Sequence, residues 1–318
     1  MQSLSQKKIC LLYAGGTTFG PDFNLAMLKK WISNSFELQM MAQVEPYFVW
    51  HGAGADVPWD LAGRLTTIIK DNYKKYDGFV ITHSIDNIVY TSSLLAFMAQ
   101  NTGKPIIFTG PALPEENEQI FFQQKKKPIS FGEFETLAIK SGLINAVQIA
   151  TMDNSEVGVV IGNHLVRATQ AKFNWDDPGK YLSFFQKHSL ARIQFGIHLN
   201  NYVKKRHEND PEFNGKFISR VKILDVHPES EADLANKDYA GIFIRGFQEQ
   251  LYPSRYNLPK HIPVCVYSQG TEIKSDNVFI CSGINYETAV AKFVWVLGQT
   301  SDIKKVKKLM GQNLAGEF

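Results

Sequence analysis

Cysteine is scarce in this chain of 318 residues, and none of it lies in a pattern that binds metal. Cys10, Cys265 and Cys281 sit within apolar, strand-like runs, and the CxxC and Cys/His spacings of zinc sites do not occur. Because an odd number of cysteines cannot all pair, we expect buried thiols that act as small hydrophobic residues in a reducing compartment.

Long hydrophobic runs are also missing. No stretch approaches the roughly 18 apolar residues that a membrane-spanning helix needs, and the polar start, residues 1–8, leads into no apolar segment typical of a secretory signal. A net charge of +3 gives no reason to expect nucleic acid or an anionic membrane as a partner. The lysine run 125–127 indicates a solvated loop, with a polyanion site as the alternative. We expect a cytoplasmic protein.

Short apolar runs alternate with amphipathic stretches in the first two thirds of the chain. The runs at 9–13, 79–82, 106–109 and 157–161 predict strands, and helical spacing recurs at 25–32, 88–98 and 137–150. This alternation predicts an α/β fold in which a mostly parallel sheet is flanked by helices. We assign it to a larger N-terminal domain, residues 1–199. Ligands of such sheets bind where the carboxyl ends of strands open into loops.

A polar, charged segment at 200–216 predicts a linker between domains. A smaller C-terminal α/β domain, residues 217–318, is expected after it. Its predicted strands are 221–224, 241–244 and 263–267, and its predicted helices are 286–297, capped by Asn285, and 302–310.

The first candidate site follows the first predicted strand, in residues 12–18. Gly15 and Gly16 let the backbone turn sharply and approach a ligand closely. Thr17 then stands at the edge of the sheet, where its hydroxyl could act as a nucleophile. A phosphate loop or a plain turn remains an alternative, although the spacing fits neither GxGxxG nor the Walker A pattern.

The second candidate site follows another predicted strand, in residues 76–87. Asp86 stands just before an apolar helix, so its alternative role is that of a helix N-cap. His83 in the same turn could be a general base or a structural, hydrogen-bonded histidine.

Together these two segments resemble the L-asparaginase family, whose signatures are a Thr-Gly-Gly-Thr-Ile turn and a His-Gly-Thr-Asp-Thr turn. The resemblance continues through residues 77–110, 141–150 and 286–318. Within the family, the sequence is most like the cytoplasmic bacterial type I members. It implies a threonine that attacks the side-chain amide of asparagine, giving an acyl-enzyme that water hydrolyses to aspartate, with ammonia released. It implies no cofactor and no metal, and a homodimer or homotetramer.

Residue by residue, the resemblance implies that Thr17 is the nucleophile and that Asp86 and Lys172 complete the catalytic set. Asp86 would also bind the α-amino group of the substrate. The segment around Lys172 is one residue shorter than usual, so an exposed structural lysine stays an alternative. Further candidate substrate-binding residues are Gly16, Gly52, Ala53, Ser84, Ile85 and Asp86.

Three departures from the family pattern affect activity. The second threonine is replaced by Ile85, which has no hydroxyl, and Ser84 is the adjacent candidate substitute. The Asp-Ser pair that binds the substrate carboxylate is replaced by His51-Gly52 or Gly52-Ala53, whose backbone N–H groups can still bind a carboxylate. No tyrosine follows Thr17 before Tyr47, so the usual lid residue is missing.

The sequence therefore predicts an asparaginase-type amidohydrolase and leaves two other classes open. One is a catalytically impaired homologue that binds an amino acid or acts as a regulator, or a hydrolase of a related amide. The other is an amidase component that acts with a partner, as in tRNA-dependent amidotransferases; the lack of an extra N-terminal domain argues against it.

Overall fold

The computed structural model describes residues 6–16, 22–110, 131–174, 182–184, 189–235, 237–270 and 275–318, with the backbone alone for 131–139. The chain divides into two compact units, residues 1–215 and 216–318.

The first unit is built on an eight-stranded sheet in the order β11-β10-β7-β6-β5-β3-β1-β2. Its strands are β1 (Lys8–Ala14), β2 (Gln43–Trp50), β3 (Gly78–His83), β5 (Ile106–Thr109), β6 (Val157–Ile161), β7 (His164–Arg167), β10 (Ala191–Ile193) and β11 (Ile197–Leu199). Neighbours from β2 to β6 pair in parallel, whereas β7, β10 and β11 are antiparallel. The predicted α/β class with a mostly parallel sheet is confirmed.

Helices cover both faces of this sheet. They are α1 (Leu25–Ser33), α2 (Phe36–Met41), α3 (Asp60–Asn72), α4 (Ile88–Met98) and α5 (Phe131–Thr151). One buried core joins alternate residues of β1, including Ile9 and Leu11, to α1, α2 and α5. This burial explains why the central strands are short apolar runs. None of the helices described here is long and apolar enough to cross a membrane.

Two small strand pairs complete the first unit: β4 (Ala99–Gln100) with β12 (Glu212–Phe213), and β8 (Ala171–Phe173) with β9 (Leu182–Phe184). The segment predicted as a linker runs along this unit. Arg206 in it donates to the carbonyls of Met152 at 2.8 Å and Ala150 at 2.6 Å. These bonds anchor residues 200–215 to the end of α5.

The second unit has a parallel sheet of four strands in sequential order, which are β13 (Val221–Asp225), β14 (Gly241–Arg245), β15 (Val264–Tyr267) and β16 (Val278–Cys281). Two helices follow, α6 (Tyr286–Gln299) and α7 (Ile303–Met310). Asn285 caps α6 by accepting from the N–H of Thr288 at 2.8 Å, as predicted. The apolar residues of α6 are buried within this unit, so they form its internal core.

The three cysteines are buried and unpaired. Cys10 lies on β1, Cys265 on β15 and Cys281 on β16. Burial raises the pKa of the Cys10 thiol to about 12, so it stays protonated and behaves as a small hydrophobic residue. This agrees with the prediction of buried thiols.

Candidate active site

The first strand of the large sheet ends in a turn of two glycines. β1 stops at Ala14, and Gly15 and Gly16 follow with φ angles of 113° and 111°. Residues with a side chain rarely adopt such angles, so glycine lets the chain leave the sheet here. A Cβ atom on Gly16 would meet nothing within 4 Å among the described residues. Thr17, the predicted nucleophile, comes next and lies outside the described residues.

The loop after β2 is joined to this turn. The backbone N–H of Gly16 donates to the carbonyl of Gly52 at 3.1 Å. Trp50, the last residue of β2, packs its indole against the two strand ends: a Cβ on Gly15 would lie 2.5 Å from Trp50 Cε3, and one on Gly52 would lie 2.8 Å from Trp50 Cζ2. Gly16, Gly52 and the adjacent Ala53, all predicted binding residues, are therefore brought to one edge of the sheet.

Ser84 and Asp86 form a compact turn after β3. The backbone N–H of Asp86 donates to Ser84 Oγ at 3.4 Å, and the Ser84 hydroxyl donates to Asp86 Oδ2 at 3.5 Å. Gly54 packs against this turn, because a Cβ there would lie 2.8 Å from Asp86 Cβ. The side-chain amide of Asn87 donates to the Gly54 carbonyl. The loop after β2 thus links the ends of β1 and β3, which bear Gly16 and Asp86.

The alternative role of Asp86 as a helix cap is wrong. Helix α4 begins at Ile88, and the N-cap position belongs to Asn87, whose side chain makes no capping hydrogen bond. Asp86 is exposed, whereas Ser84 is buried. The Asp86 carboxylate is therefore accessible to a ligand at this edge.

Lys172 lies on β8, opposite Ser183 of β9, and is half-buried. Its neighbour Phe173 meets the ring of Tyr90 on α4, with ring centroids 6.1 Å apart. Since α4 begins two residues after Asp86, this helix connects the strand of Lys172 to the turn of Asp86.

His83 is a structural histidine in this arrangement. It is 1% exposed, and its Nδ1 lies 2.7 Å from the carbonyl oxygen of Ser84, so Nδ1–H donates to that oxygen. Burial lowers the pKa of His83 to about 4, against the smaller opposing effect of this hydrogen bond. A neutral imidazole that fixes the Ser84 peptide favours the structural interpretation over the general base.

Comparison with known proteins fits this geometry. Residues 8–119, which contain β1, β2, β3 and the turns after them, match the family described as Asparaginase, N-terminal. Residues 8–119 therefore carry a divergent form of the asparaginase family pattern.

Its relatives carry two kinds of name. A glutamyl-tRNA(Gln) amidotransferase subunit of Methanobrevibacter smithii is 29% identical over 275 residues, covering 76% of this chain and 59% of that protein. L-asparaginase 1 of Escherichia coli K12 is 24% identical over 284 residues, covering 79% and 77%. The fold of L-asparaginase I from Vibrio cholerae matches with a TM-score of 0.76 at 21% identity, covering 99% of each chain. The chain spans 59% of the length of the amidotransferase subunits from Methanobrevibacter, Thermococcus and Pyrococcus furiosus that it matches.

The chain carries Ile85 where the family resemblance leads us to expect a threonine hydroxyl, and Ile85 is half-buried. Two hydroxyls lie nearby in the chain. Thr82 Oγ1 is buried and has no hydrogen-bond partner among the described residues. Ser84 Oγ lies beside the Asp86 carboxylate, which makes it the better-placed substitute. Among the described residues, no cluster of three or more His, Cys, Asp or Glu could hold a metal ion.

Sequence reasoning missed Tyr13, which contacts the glycine turn, and named His51 only as part of the pair that replaces the Asp-Ser pair. The hydroxyl of Tyr13 donates to the carbonyl of Gly16 at 3.2 Å, and it lies 2.8 Å from Nδ1 of His51. Tyr13 sits inside an apolar strand, which is typical of a core residue, and only the strand register brings it to the level of the β2 loop. No motif signals the pair.

Gly15→Ala and Gly16→Ala form a matched pair of substitutions, because both positions have nearly the same φ. Gly16→Ala is expected to lower the free energy of unfolding by about 1–2 kcal/mol from backbone strain alone. Gly15→Ala adds a clash with the Trp50 ring and should lower it by about 1–3 kcal/mol more. Urea denaturation measures the free energy of unfolding of both variants. Equal losses in the two variants would contradict the Trp50 contact, and so would a loss in Gly15→Ala that a second change, Trp50→Ala, does not reduce.

Proposed function

We propose that this chain is an amidohydrolase that attacks the side-chain amide of asparagine with Thr17, giving aspartate and ammonia. The match of residues 8–119 to the asparaginase family supports an amidohydrolase type of activity. The single observation that carries the proposal is the joining of three strand ends. The Gly16–Gly52 hydrogen bond and the packing of Gly54 on Asp86 bring the turn that leads into Thr17 to the same edge as an exposed carboxylate.

The substrate-binding roles are assigned to groups that lie at this edge of the sheet. Asp86 would bind the ammonium group of the substrate, because its carboxylate is exposed and beside the turn. The N–H of Gly16 already donates to Gly52, so Gly16 would contribute a face that is open among the described residues, and not a donor. The backbone N–H groups of Gly52 and Ala53 would bind the substrate carboxylate.

Activation of Thr17 is the step that the departures from the family affect. Lys172 would take the proton of the Thr17 hydroxyl, and the Asp86 carboxylate would stabilise the positive charge that Lys172 then carries. Ile85 would pack against the substrate. Ser84 supports this arrangement, since it retains a hydroxyl next to Asp86. A missing proton relay lowers rates by about 100- to 10,000-fold, so we expect slower turnover than an intact set would give.

Ile85 is the observation that favours a second candidate, a catalytically impaired homologue that binds an amino acid or acts as a regulator, or a hydrolase of a related amide. A third candidate, a component of an amidotransferase, draws on the name of the amidotransferase relatives. The family resemblance also supports a cytoplasmic homodimer or homotetramer.

The proposal is tested by ammonia release from asparagine and glutamine, measured with the wild-type chain and with Asp86→Asn. We expect the wild type to release ammonia, and Asp86→Asn to raise KM about 10- to 150-fold because one charged hydrogen bond to the substrate is lost. Asp56→Asn is the matched control, since Asp56 is an exposed carboxylate on the neighbouring loop. Release of no ammonia from either amide by the folded protein would favour the binding protein.

A further inference from the structure

Two contacts meet at the hydroxyl of Tyr13, one with the carbonyl of Gly16 and one with the ring of His51. Tyr13 is 2% exposed, and its ring stacks on Phe48 with centroids 5.0 Å apart. Phe23 packs against the same ring at 5.2 Å. The hydroxyl lies 3.2 Å from the Gly16 carbonyl oxygen and 2.8 Å from Nδ1 of the half-buried His51.

The chemistry of these groups determines which atoms donate. A phenol has one proton, and a carbonyl oxygen can only accept. Burial raises the pKa of Tyr13, so its hydroxyl stays protonated. The two contacts can both be hydrogen bonds in only one arrangement. In it, the Tyr13 hydroxyl donates to the Gly16 carbonyl oxygen and accepts from the Nδ1–H of His51. Neutral His51 is then held as the Nδ1–H tautomer, with the lone pair on Nε2.

We propose that Tyr13 and His51 are positioning residues that fix the peptide plane between Gly16 and Thr17. The carbonyl oxygen of Gly16 belongs to the same peptide group as the backbone nitrogen of Thr17, so holding one orients the other. Gly16 has no side chain to hold this turn, and its own N–H is already bonded to Gly52. The Tyr13–His51 pair supplies the second restraint on Gly16 and goes beyond the roles implied by the family resemblance.

The tautomer gives a test that does not depend on activity. Nitrogen-15 NMR of histidine-labelled protein separates the Nδ1–H and Nε2–H forms, and His51→Asn identifies the His51 signals among the eight histidines. We expect His51 as the Nδ1–H tautomer in the wild type, with loss of that fixed form in Tyr13→Phe. An Nε2–H tautomer would overturn the proposal, because Tyr13 would then donate to His51 and not to Gly16.

Kinetics give the second test, which rests on the proposed function. Tyr13→Phe and His51→Leu should lower kcat about 10- to 100-fold with little change in KM, because they misplace the nucleophile and not the binding groups. His51→Asn should recover most of this loss, since its amide can donate from near the Nδ1 position. The double variant Tyr13→Phe/His51→Leu should be no slower than Tyr13→Phe alone.

Tyr47→Phe is the matched control. It removes a hydroxyl from β2 that bonds Asn72 and Tyr76, away from the turn, and should leave kcat unchanged. Additive losses of kcat in the double variant would overturn the positioning role. A loss of kcat in His51→Asn equal to that in His51→Leu would overturn it as well. A wild type that releases no ammonia would contradict the proposed function instead, and the NMR result would still decide the Tyr13–His51 pair.

Discussion

Replacing Lys292 by methionine is expected to lower the free energy of unfolding of the C-terminal unit by about 3–5 kcal/mol. Lys292 on α6 and Glu317 near the chain end are both 0% exposed, and Lys292 Nζ lies 2.6 Å from Glu317 Oε1. Lys292 also donates to the carbonyl of Met310 at 2.9 Å and to that of Gln312. The ammonium group thus holds the segment after α7 against α6.

Removing the lysine leaves a buried carboxylate without its charge partner. Glu317 would keep the N–H groups of Leu314, at 3.1 Å, and Ala315, at 2.7 Å. These bonds do not neutralise its charge, so the unpaired group is costly to bury. Burial lowers the pKa of Lys292, and the charge of Glu317 opposes that shift.

Hydrogen exchange at the amides of α6 is the measurement, because it reports the opening free energy of this unit within the full chain. Lys308→Met is the control, since Lys308 is an exposed lysine on α7. The double variant Lys292→Met/Glu317→Leu should recover much of the loss, because two apolar groups leave no buried charge. If Lys292→Met lowers the opening free energy no more than Lys308→Met does, that result would contradict the structural role of this pair.

Thr17→Ala is expected to lower ammonia release by at least about 1,000-fold, because loss of a nucleophile removes the covalent route as a whole. Thr17→Ser keeps a hydroxyl and should retain measurable turnover. Binding of asparagine should survive in Thr17→Ala, since the proposed binding groups of Asp86, Gly52 and Ala53 are unchanged. Equal rates in the wild type and Thr17→Ala would contradict the assignment of the nucleophile.

The central strands could be predicted because each is a buried apolar run. β1, β3, β5 and β6 are covered by helices on both faces, so nearly every side chain is apolar and the run is visible in the sequence. β2 is different: it is an edge strand with mixed residues, and Pro46 lies within it. An edge strand tolerates proline and polar residues, which conceals it from a search for apolar runs.

The candidate site could be predicted in part. The turns that bear Gly16 and Asp86 follow apolar strands, so a sheet-edge rule locates them. The bond from Gly16 to Gly52 and the contact of His51 with Tyr13 depend on how three strands are aligned, which no single segment encodes. The strand of Lys172 illustrates the same limit, because its contact with α4 is made by the rings of Phe173 and Tyr90, which are far apart in the sequence.

The most direct test of the central claim is a search for the acyl-enzyme. The wild type is mixed with asparagine, quenched in acid within the turnover time and digested, and the peptide that contains Thr17 is weighed by mass spectrometry. We predict that this peptide gains the mass of an aspartyl group, and that the corresponding peptide of Thr17→Ala does not. Ammonia release with no adduct on Thr17, or with the adduct on another residue, would contradict the account.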